Sequence, residues 1–545
     1  MHFERKGNIT MNEKQLTIRG LLIGSIGSII LTMSSMFIAL KSSSLPWPIM
    51  FVVLVSMVSL KVLGNTNLQE INVTQTAMSA GAMVAGGLAF TIPGIWMLKP
   101  DTELSVPVLL VIALGGTILG LIFTALFRKY FIETKELPYA MGQAAAATLE
   151  VGDKDMKKSV LLFVSMGAAG IFTWLRDWSM KLPATLLSNK MMSYGSMAGI
   201  WLSPMLISIG YIIGPVVIGV WFLGALIGDF GILFGGVEMG LWDSVTAANI
   251  KSSLGIGMMV GTGVGILVKG IIPKAKDIFG SMFIKDRLGD NFINMRWAPF
   301  VLVIVAAAFT FITDMGIVAS VITILGAWLA TSMSAQCVGQ SGINPMEIFG
   351  IIILLGAKAV SSIGETEAFY VAAVVAIACG LVGDVMNDFK AGHILNTDPK
   401  AQWLAEVVGG LIGAVVSVII LAVILMAYGS EAFGGEMFPA AQASAVAAMV
   451  GGISHVPSFI IGLVIAVILY FVNFPVITLG LGVYLPFYLS ATAFIGGVIR
   501  LAVDKVCPQF EEDGKGTIIA SGLLGGESIV GVIIAIVMAI QILNA

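Results

Sequence analysis

Apolar runs follow one another with only short breaks from Leu21 to Leu543. A helix needs about 20 mostly apolar residues to cross the hydrocarbon part of a bilayer, and most of these runs have that length. Hydrophobic residues make up 57% of the 545-residue chain and charged residues 11%, whereas charged residues make up roughly 25% of an ordinary soluble domain. These charged residues are too few to cover a protein surface that faces water. The sequence therefore predicts an integral membrane protein.

The same criterion of about 20 apolar residues per span predicts about 16 transmembrane helices. We expect an all-α fold, because in lipid the backbone polar groups of a helix are satisfied within the segment itself. The polar residues 1–20 lack the pattern of a removable secretory signal. We expect them to form a cytoplasmic N-terminal tail, followed by one polytopic membrane domain over 21–545.

Two alanine-rich segments, 137–152 and 437–452, are too short to cross the hydrocarbon part of the bilayer as regular helices. Short apolar segments are more often re-entrant or interfacial. Irregular backbone at membrane depth is tolerated only where protein or a water-filled cavity surrounds it. The sequence therefore predicts two re-entrant or short helical segments that line a cavity.

These two segments also resemble each other, since Leu137-Pro138 is followed by Gln143 and Phe438-Pro439 by Gln442. We interpret this as one of several matches between two repeated halves, at about 21–272 and about 316–543. Repeats of this kind place the substrate site of secondary transporters between the halves. Loop 128–158 holds six Lys or Arg residues and loop 429–455 holds none. Cytoplasmic loops collect positive charge, so an inverted repeat is favoured, and a parallel repeat remains open.

Acids, two lysines and a histidine crowd together in Gly383–Glu406, between two apolar runs. Asp384 and Asp388 are four residues apart and share one face of a helix. Two neighbouring carboxyl groups exchange protons readily, because like charge raises the pKa of one of them. Together with Lys390 they are predicted to take part in proton coupling, and a solvated helix end at a cytoplasmic loop is the alternative.

Glu527 lies well inside the last apolar run. An acid at such depth is costly in lipid and usually functional. We predict that Glu527 carries a coupling proton or contacts a substrate amine.

Other polar side chains at the ends of apolar runs are candidate substrate contacts. Lys41 is suited to a substrate carboxylate, Glu365 and Glu367 follow Lys358 between two runs, and the amides can bind peptide groups. Snorkelling of Lys41 to the interface and a surface ion pair of the two acids are the alternatives. The predicted substrate-binding residues are Lys41, Gln69, Gln75, Gln143, Gln442, Glu365 and Glu367.

Several motifs in the same order resemble those of the oligopeptide transporter family, which includes the yellow stripe-like metal-chelate carriers. The pattern G-D-x-M-N-D-x-K-A-G followed by T-D-P-K-A-Q begins at Gly383. The other motifs are FIALKSS (37–43), SLKVLGNTNLQEINVTQTAMSAG (59–81), LPYAMGQAAAATLEVG (137–152), SGINPMEIFG (341–350) and ASGLLGGESIVGV (520–532). The resemblance covers nearly the whole chain.

The resemblance implies a secondary active transporter with sixteen passes that imports oligopeptides or peptide-like compounds by proton symport. A metal-chelate transporter of the same family is the alternative. One departure concerns the coupling, because Ala140-Met141 stands where family members commonly have Pro-Glu. If that glutamate carries the proton in relatives, this chain must use another acid.

A passive channel and an intramembrane enzyme are rival classes. No Walker loop, GxSxG elbow or HExxH pattern supports an enzyme, and Cys337, Cys379 and Cys507 are too scattered for a thiolate metal site. We therefore predict no catalytic activity, no cofactor and no metal site. The expected partners are the substrate, protons and the lipid of the plasma membrane, without nucleic acid, and homo-oligomerisation stays open.

Overall fold

The computed structural model describes residues 15–543 except for 43–44, 46–48, 104, 155, 266–267, 270–272, 274–291, 294, 436–437, 439 and 451. Most of the predicted tail 1–20 lies outside the described residues. The described part is helical over most of its length, as expected for a chain whose backbone groups are satisfied inside lipid.

The N-terminal half contains eleven described helices, three of which continue into π-helical turns. The π-helical turns Lys129–Thr134, Trp174–Trp178 and Leu226–Gly236 extend α5, α7 and α10. The helices are α1 Ile18–Ser42, α2 Ile49–Leu63, α3 Leu68–Ala89, α4 Gly94–Leu98, α5 Val106–Arg128, α6 Ala140–Lys154, α7 Met156–Thr173, α8 Asn189–Met192, α9 Pro204–Ile213, α10 Pro215–Ala225 and α11 Ser244–Gly265.

The C-terminal half follows a similar order of helix lengths. Short 3₁₀ turns at Met295–Trp297 and Ser430–Ala432 precede α12 and follow α16. The helices are α12 Ala298–Ile312, α13 Gly316–Ser341, α14 Met346–Val360, α15 Glu365–Leu395, α16 Pro399–Tyr428, α17 Ala441–Val450, α18 Val456–Phe471, α19 Val476–Tyr484, α20 Phe487–Val506, α21 Pro508–Glu512 and α22 Lys515–Leu543.

The predicted helical membrane fold is confirmed. Ten helical stretches in the described residues are long and apolar enough to cross a membrane, and three more apolar helices are shorter. The total of sixteen spans stays a prediction. One local exception is a hairpin in which β1 (Thr185–Leu187) pairs antiparallel with β2 (Gly199–Trp201).

The two short alanine-rich segments fold as short helices. Helix α6 has 15 residues and packs against α15 and α22. Helix α17 has 10 residues and packs against α14. Their role as cavity lining stays a prediction.

Helix α15 is the centre of the fold. The most apolar window of its 31 residues is 100% buried, and α3, α5, α13 and α14 all pack against it. Lipid gives no hydrophobic force that joins helices, so close backbone approach at small residues must supply the packing. Gly116 and Gly120 of α5 allow this approach, because a Cβ atom at either position would lie 2.9–3.1 Å from a backbone carbonyl oxygen of α15.

The crossing of α15 with α5 repeats the crossing of α3 with α16. Gly409 lies against Ala77 and Gly413 against Gly81, whereas Gly116 lies against Val374 and Gly120 against Ala378. Corresponding residues of α3 and α15 differ by 297 in residue number (374 − 77 and 378 − 81). Corresponding residues of α5 and α16 differ by 293 (409 − 116 and 413 − 120). Both crossings therefore use the same residue spacing.

The matched helices α3 and α15 run in opposite directions. Gly87 lies against Ile377, whereas Gly380, further along α15, lies against Met83, an earlier residue of α3. Matched elements that run antiparallel are the geometry of an inverted repeat.

Replacement of Gly413 by leucine should destabilise the protein. A Cβ atom at Gly413 would lie 2.2 Å from the Gly81 Cα atom, and overpacking of this kind costs about 1–3 kcal/mol or more. We expect a lower midpoint of thermal unfolding for G413L in detergent. Gly167→Ala is the control, because Gly167 is exposed with open space around its Cα atom. Equal midpoints for both variants would contradict the close approach.

Candidate functional site

Three carboxyl groups meet where α15 crosses α3 and α16. Asp384 and Asp388 come from one face of α15, and Glu406 comes from the second turn of α16. One oxygen atom of each lies within 4.8 Å of the others, and all three side chains are 0% exposed. We call Asp384, Asp388 and Glu406 the carboxyl cluster. The sequence pattern predicted the aspartate pair and missed Glu406.

The turn between α15 and α16 brings Glu406 to the pair. Asn396 adopts a left-handed conformation with φ 55° and ends α15, and Asp398 caps α16 by accepting a hydrogen bond from the Lys400 N–H. The two helices then run back along each other. Glu406 closes the charged stretch in sequence, but only this reversal of the chain places it beside Asp384.

The three acids differ in their hydrogen bonds. Asp388 accepts from Gln75 Nε2 at 2.9 Å and from Ser79 Oγ at 3.3 Å, and both donors lie on α3. Both carboxylate oxygens of Asp384 and of Glu406 are buried and have no hydrogen-bond partner among the described residues. Buried polar atoms are nearly always paired, so the cluster contains acceptors that await a proton or another cation.

Polar side chains of α3 and α16 hold the cluster in place. Gln402 Nε2 donates to the backbone carbonyl of Asp388 at 2.8 Å. Asn72 Nδ2 donates to Thr397 Oγ1 at 3.0 Å, and Gln69 Nε2 donates to the Leu395 carbonyl at 3.1 Å. The bonds of Asn72 and Gln69 join the polar face of α3 to the end of α15 and the turn that follows it.

The electrostatics of the cluster demand a positive partner. No Lys or Arg side chain forms an ion pair with these three acids in the part of the chain that the structure describes. An isolated buried carboxylate is strongly destabilised, and three together repel one another. The arrangement therefore suits the uptake and release of cations rather than permanent structural pairing.

The matched crossing in the other half lacks the acids. With the offsets of 297 and 293 given above, the counterparts of Asp384, Asp388, Glu406, Gln75 and Ser79 are Gly87, Thr91, Ala113, Ala372 and Ala376. None of these five has an ionisable side chain. The helices thus form the same crossing without carboxylates, so the acids are not a requirement of the packing.

Helix α6 lies next to the cluster without contributing an acid. Met141 is fully buried at the position where the family resemblance led us to look for a glutamate. The following residue, Gly142, donates its backbone N–H to Asn387 Oδ1 of α15 at 3.1 Å. The acids of α15 are therefore close to the place where the usual glutamate is missing.

Glu527 lies in a separate and fully paired environment. It is 4% exposed and forms an ion pair with Arg176 at 2.9 Å. It also accepts from Ser203 Oγ at 2.9 Å and from the Met205 backbone N–H at 2.7 Å, at the start of α9. An acid at a helix N-terminus is stabilised by the exposed N–H groups. No hydrogen bond joins Glu527 to the carboxyl cluster within the described residues.

Two pairs of helices are interrupted, and one of the interruptions lies beside a further buried ion pair. Helices α9 and α10 meet at Gly214, with φ 92°, and α19 and α20 meet at Leu485-Pro486. Lys251 donates to the Leu485 carbonyl at 3.3 Å and pairs with Asp229 at 2.6 Å. Discontinuous helices of this kind expose backbone groups that bind substrates and ions in transporters.

Three predicted residues from the first half and from α15 lie near the crossing. Lys390 is half-buried beside Gly142. Gln75 contacts the cluster directly, as described above. Gln143 donates to the Pro138 carbonyl at 2.7 Å. Lys41 belongs to α1, and its side chain lies outside the described residues.

The acids at the start of α15 face the surface. Glu365 is exposed and pairs with Lys99 at 3.0 Å, and Lys358 Nζ donates to the Val450 carbonyl at 2.6 Å. Glu367 is half-buried, as is Gln442 on α17. These residues do not share a site with the carboxyl cluster.

Loss of the Arg176 charge should destabilise the protein strongly. Arg176→Gln would leave Glu527 buried without its ion pair, and removal of one partner of a buried pair costs about 3–5 kcal/mol. We expect a large fall in the unfolding midpoint for R176Q and a smaller one for the double variant R176Q/E527Q. Additive effects in this double-mutant cycle would show that the two side chains do not interact.

Comparison with known proteins agrees with the architecture. A family model described as OPT oligopeptide transporter protein matches residues 15–538. A Haemophilus influenzae protein named "Putative oligopeptide transporter" is 24% identical over 90% of this chain and 90% of its own length. A rice protein named "Probable metal-nicotianamine transporter YSL13" is 24% identical over 28% of this chain and 24% of its own length. The match over nearly all residues, on a multi-pass helical membrane fold, shows that the chain belongs to the oligopeptide transporter family.

Proposed function

We propose that this protein imports oligopeptides or peptide-like compounds across the plasma membrane by proton symport with alternating access. Membership of a transporter family and the name of the Haemophilus influenzae relative support this substrate class. In this proposal the N-terminus is cytoplasmic and the chain has no catalytic activity.

The observation that carries the coupling is the carboxyl cluster. Acids with unpartnered oxygens are stable in a closed protein interior only while cations neutralise them. A transporter that opens such a cluster to one side of the membrane and then to the other exchanges the cations between the two compartments. The cluster therefore links the movement of substrate to a cation gradient.

The internal symmetry supports alternating access. The matched crossings of α3 with α16 and of α15 with α5 have constant offsets, and their equivalent helices run antiparallel. Inverted repeats let one half rock against the other around a central site. We propose that the repeats at about 21–272 and about 316–543 are these two moving halves.

The proposed residue roles follow from the contacts. Asp384, Asp388, Lys390 and Glu527 are the proposed coupling groups, and the arginine pairing of Glu527 makes it the more static of them. Gln75 bridges the two roles, because it is a proposed substrate contact and also donates to Asp388. The other proposed substrate contacts are Lys41, Gln69, Gln143, Gln442, Glu365 and Glu367.

Import of a metal chelate is the second candidate. The partial match to the rice metal-nicotianamine transporter favours it. A chelate of amino-acid-like ligands presents carboxylates and amines similar to those of a peptide, so the same amide side chains would serve either cargo.

Uptake in proteoliposomes tests the proposal. A labelled tripeptide should accumulate above its outside concentration only when an inward proton gradient is imposed. Asp388→Asn should abolish this uphill accumulation, because an asparagine side chain cannot take up and release the coupling proton.

The matched control is Asp504→Asn, on an exposed aspartate of α20 that pairs with Arg500. Exposed pairs contribute little, so this variant should transport like the wild type. Gradient-independent equilibration would instead indicate a passive channel, and the absence of uptake for peptides together with uptake of a metal–nicotianamine complex would favour the second candidate.

A further inference from the structure

We propose that Asp384, Asp388 and Glu406, together with the amide oxygen of Gln75, bind one divalent metal cation of about the size of Ca²⁺. This site goes beyond the proposed transport of peptides and protons, although it uses residues of the same cluster. The proposal departs from our expectation from the sequence that the protein has no metal site.

The spacing and variety of the ligands favour Ca²⁺. The three carboxylate oxygens lie within 4.8 Å of one another, so a central point lies at most about 2.8 Å from each (4.8 divided by the square root of 3). Ca²⁺ takes oxygen ligands at about 2.3–2.6 Å and tolerates irregular geometry, whereas Mg²⁺ demands about 2.0–2.1 Å in a regular octahedron and retains water. This upper bound admits Ca²⁺, and a mixed set of three carboxylates and one amide from three helices suits its tolerance of irregular geometry better than the regular octahedron of Mg²⁺.

The ligand atoms are free and buried. Both oxygens of Asp384 and of Glu406 have no hydrogen-bond partner among the described residues. The Gln75 Oε1 atom, on a different helix, is also buried and unpartnered. Because the Nε2 atom of the same amide donates to Asp388, the Oε1 atom lies at the edge of the cluster. An amide oxygen without a hydrogen-bond partner, next to carboxylate oxygens that also lack one, indicates a site for a cation with oxygen ligands.

The charge favours a divalent ion over a monovalent one. Three ionised acids carry three negative charges, and no arginine or lysine pairs with them in the described part of the chain. Sodium would leave two charges uncompensated in a closed interior, whereas a divalent ion leaves one. Carboxylate and carbonyl oxygens are the ligands that suit Ca²⁺, Mn²⁺ and Mg²⁺.

The symmetry-related crossing does not offer a second site of this kind. The matched crossing has glycine, alanine and threonine at the corresponding positions and offers no carboxylate. Because metal ligands must be deprotonated, protons compete with the metal for the same oxygens. The cluster would then hold either the metal ion or protons, so that release of the metal accompanies uptake of protons.

Calorimetric titration of the purified full-length chain in detergent with Ca²⁺ tests the proposal. We expect one saturable site per chain, little competition from Mg²⁺ or Na⁺, and a rise in the unfolding midpoint with Ca²⁺. Glu406→Gln should weaken Ca²⁺ binding by at least about tenfold, and Gln75→Leu should weaken it less, because the amide supplies one neutral ligand. Acidic buffer should weaken binding to the wild type.

Glu347→Gln is the matched control, since Glu347 is a buried acid of α14 outside the cluster. It should bind Ca²⁺ like the wild type. Absence of saturable binding by the wild type, or binding that is equal in wild type and a folded E406Q variant, would overturn the proposal. Proton-driven peptide uptake without metal binding would remove the metal site alone, whereas metal binding without uptake of any peptide would remove the proposed function alone.

Discussion

The cost of a carboxylate in a lipid-surrounded interior is the constraint on which this structure depends. Helix α15 is enclosed by other helices and yet carries Asp384 and Asp388 at its buried face. Burial of ionised groups without pairing costs several kcal/mol each even after relaxation. The surrounding helices reduce that cost only in part, because α3 donates two hydrogen bonds to Asp388 and none to Asp384.

Close packing around α15 makes this enclosure possible. Glycines of α5 and α16 bring their backbones against α15 and α3, and the spacing of the contacts is the same in both crossings. Small residues are the means by which membrane helices associate. The same crossing is built once with acids and once with alanine and glycine, which separates what the packing requires from what the chemistry requires.

Glu527 and the carboxyl cluster solve the problem of a buried acid in opposite ways. Glu527 is neutralised by Arg176 and by the N-terminus of α9, so its charge is compensated within the protein. The carboxyl cluster has no such internal partner among the described residues and depends on a cation from outside. Sequence reasoning placed Asp384, Asp388 and Glu527 in one functional class, because the depth of an acid in an apolar run does not reveal which basic residue lies beside it.

The lengths of the apolar runs and the low charge content by themselves determined the membrane class, the helical architecture and the short segments that fold as α6 and α17. These follow from the solvent, since lipid forces each segment to satisfy its own backbone. The aspartate pair also followed from local spacing, because residues four apart share a helix face. Only the tertiary structure added Glu406, brought the predicted Gln75 against Asp388, paired Glu365 with Lys99 and enclosed Glu527 with Arg176. Those contacts join residues far apart in the chain, and helix crossings rather than local sequence set their distances.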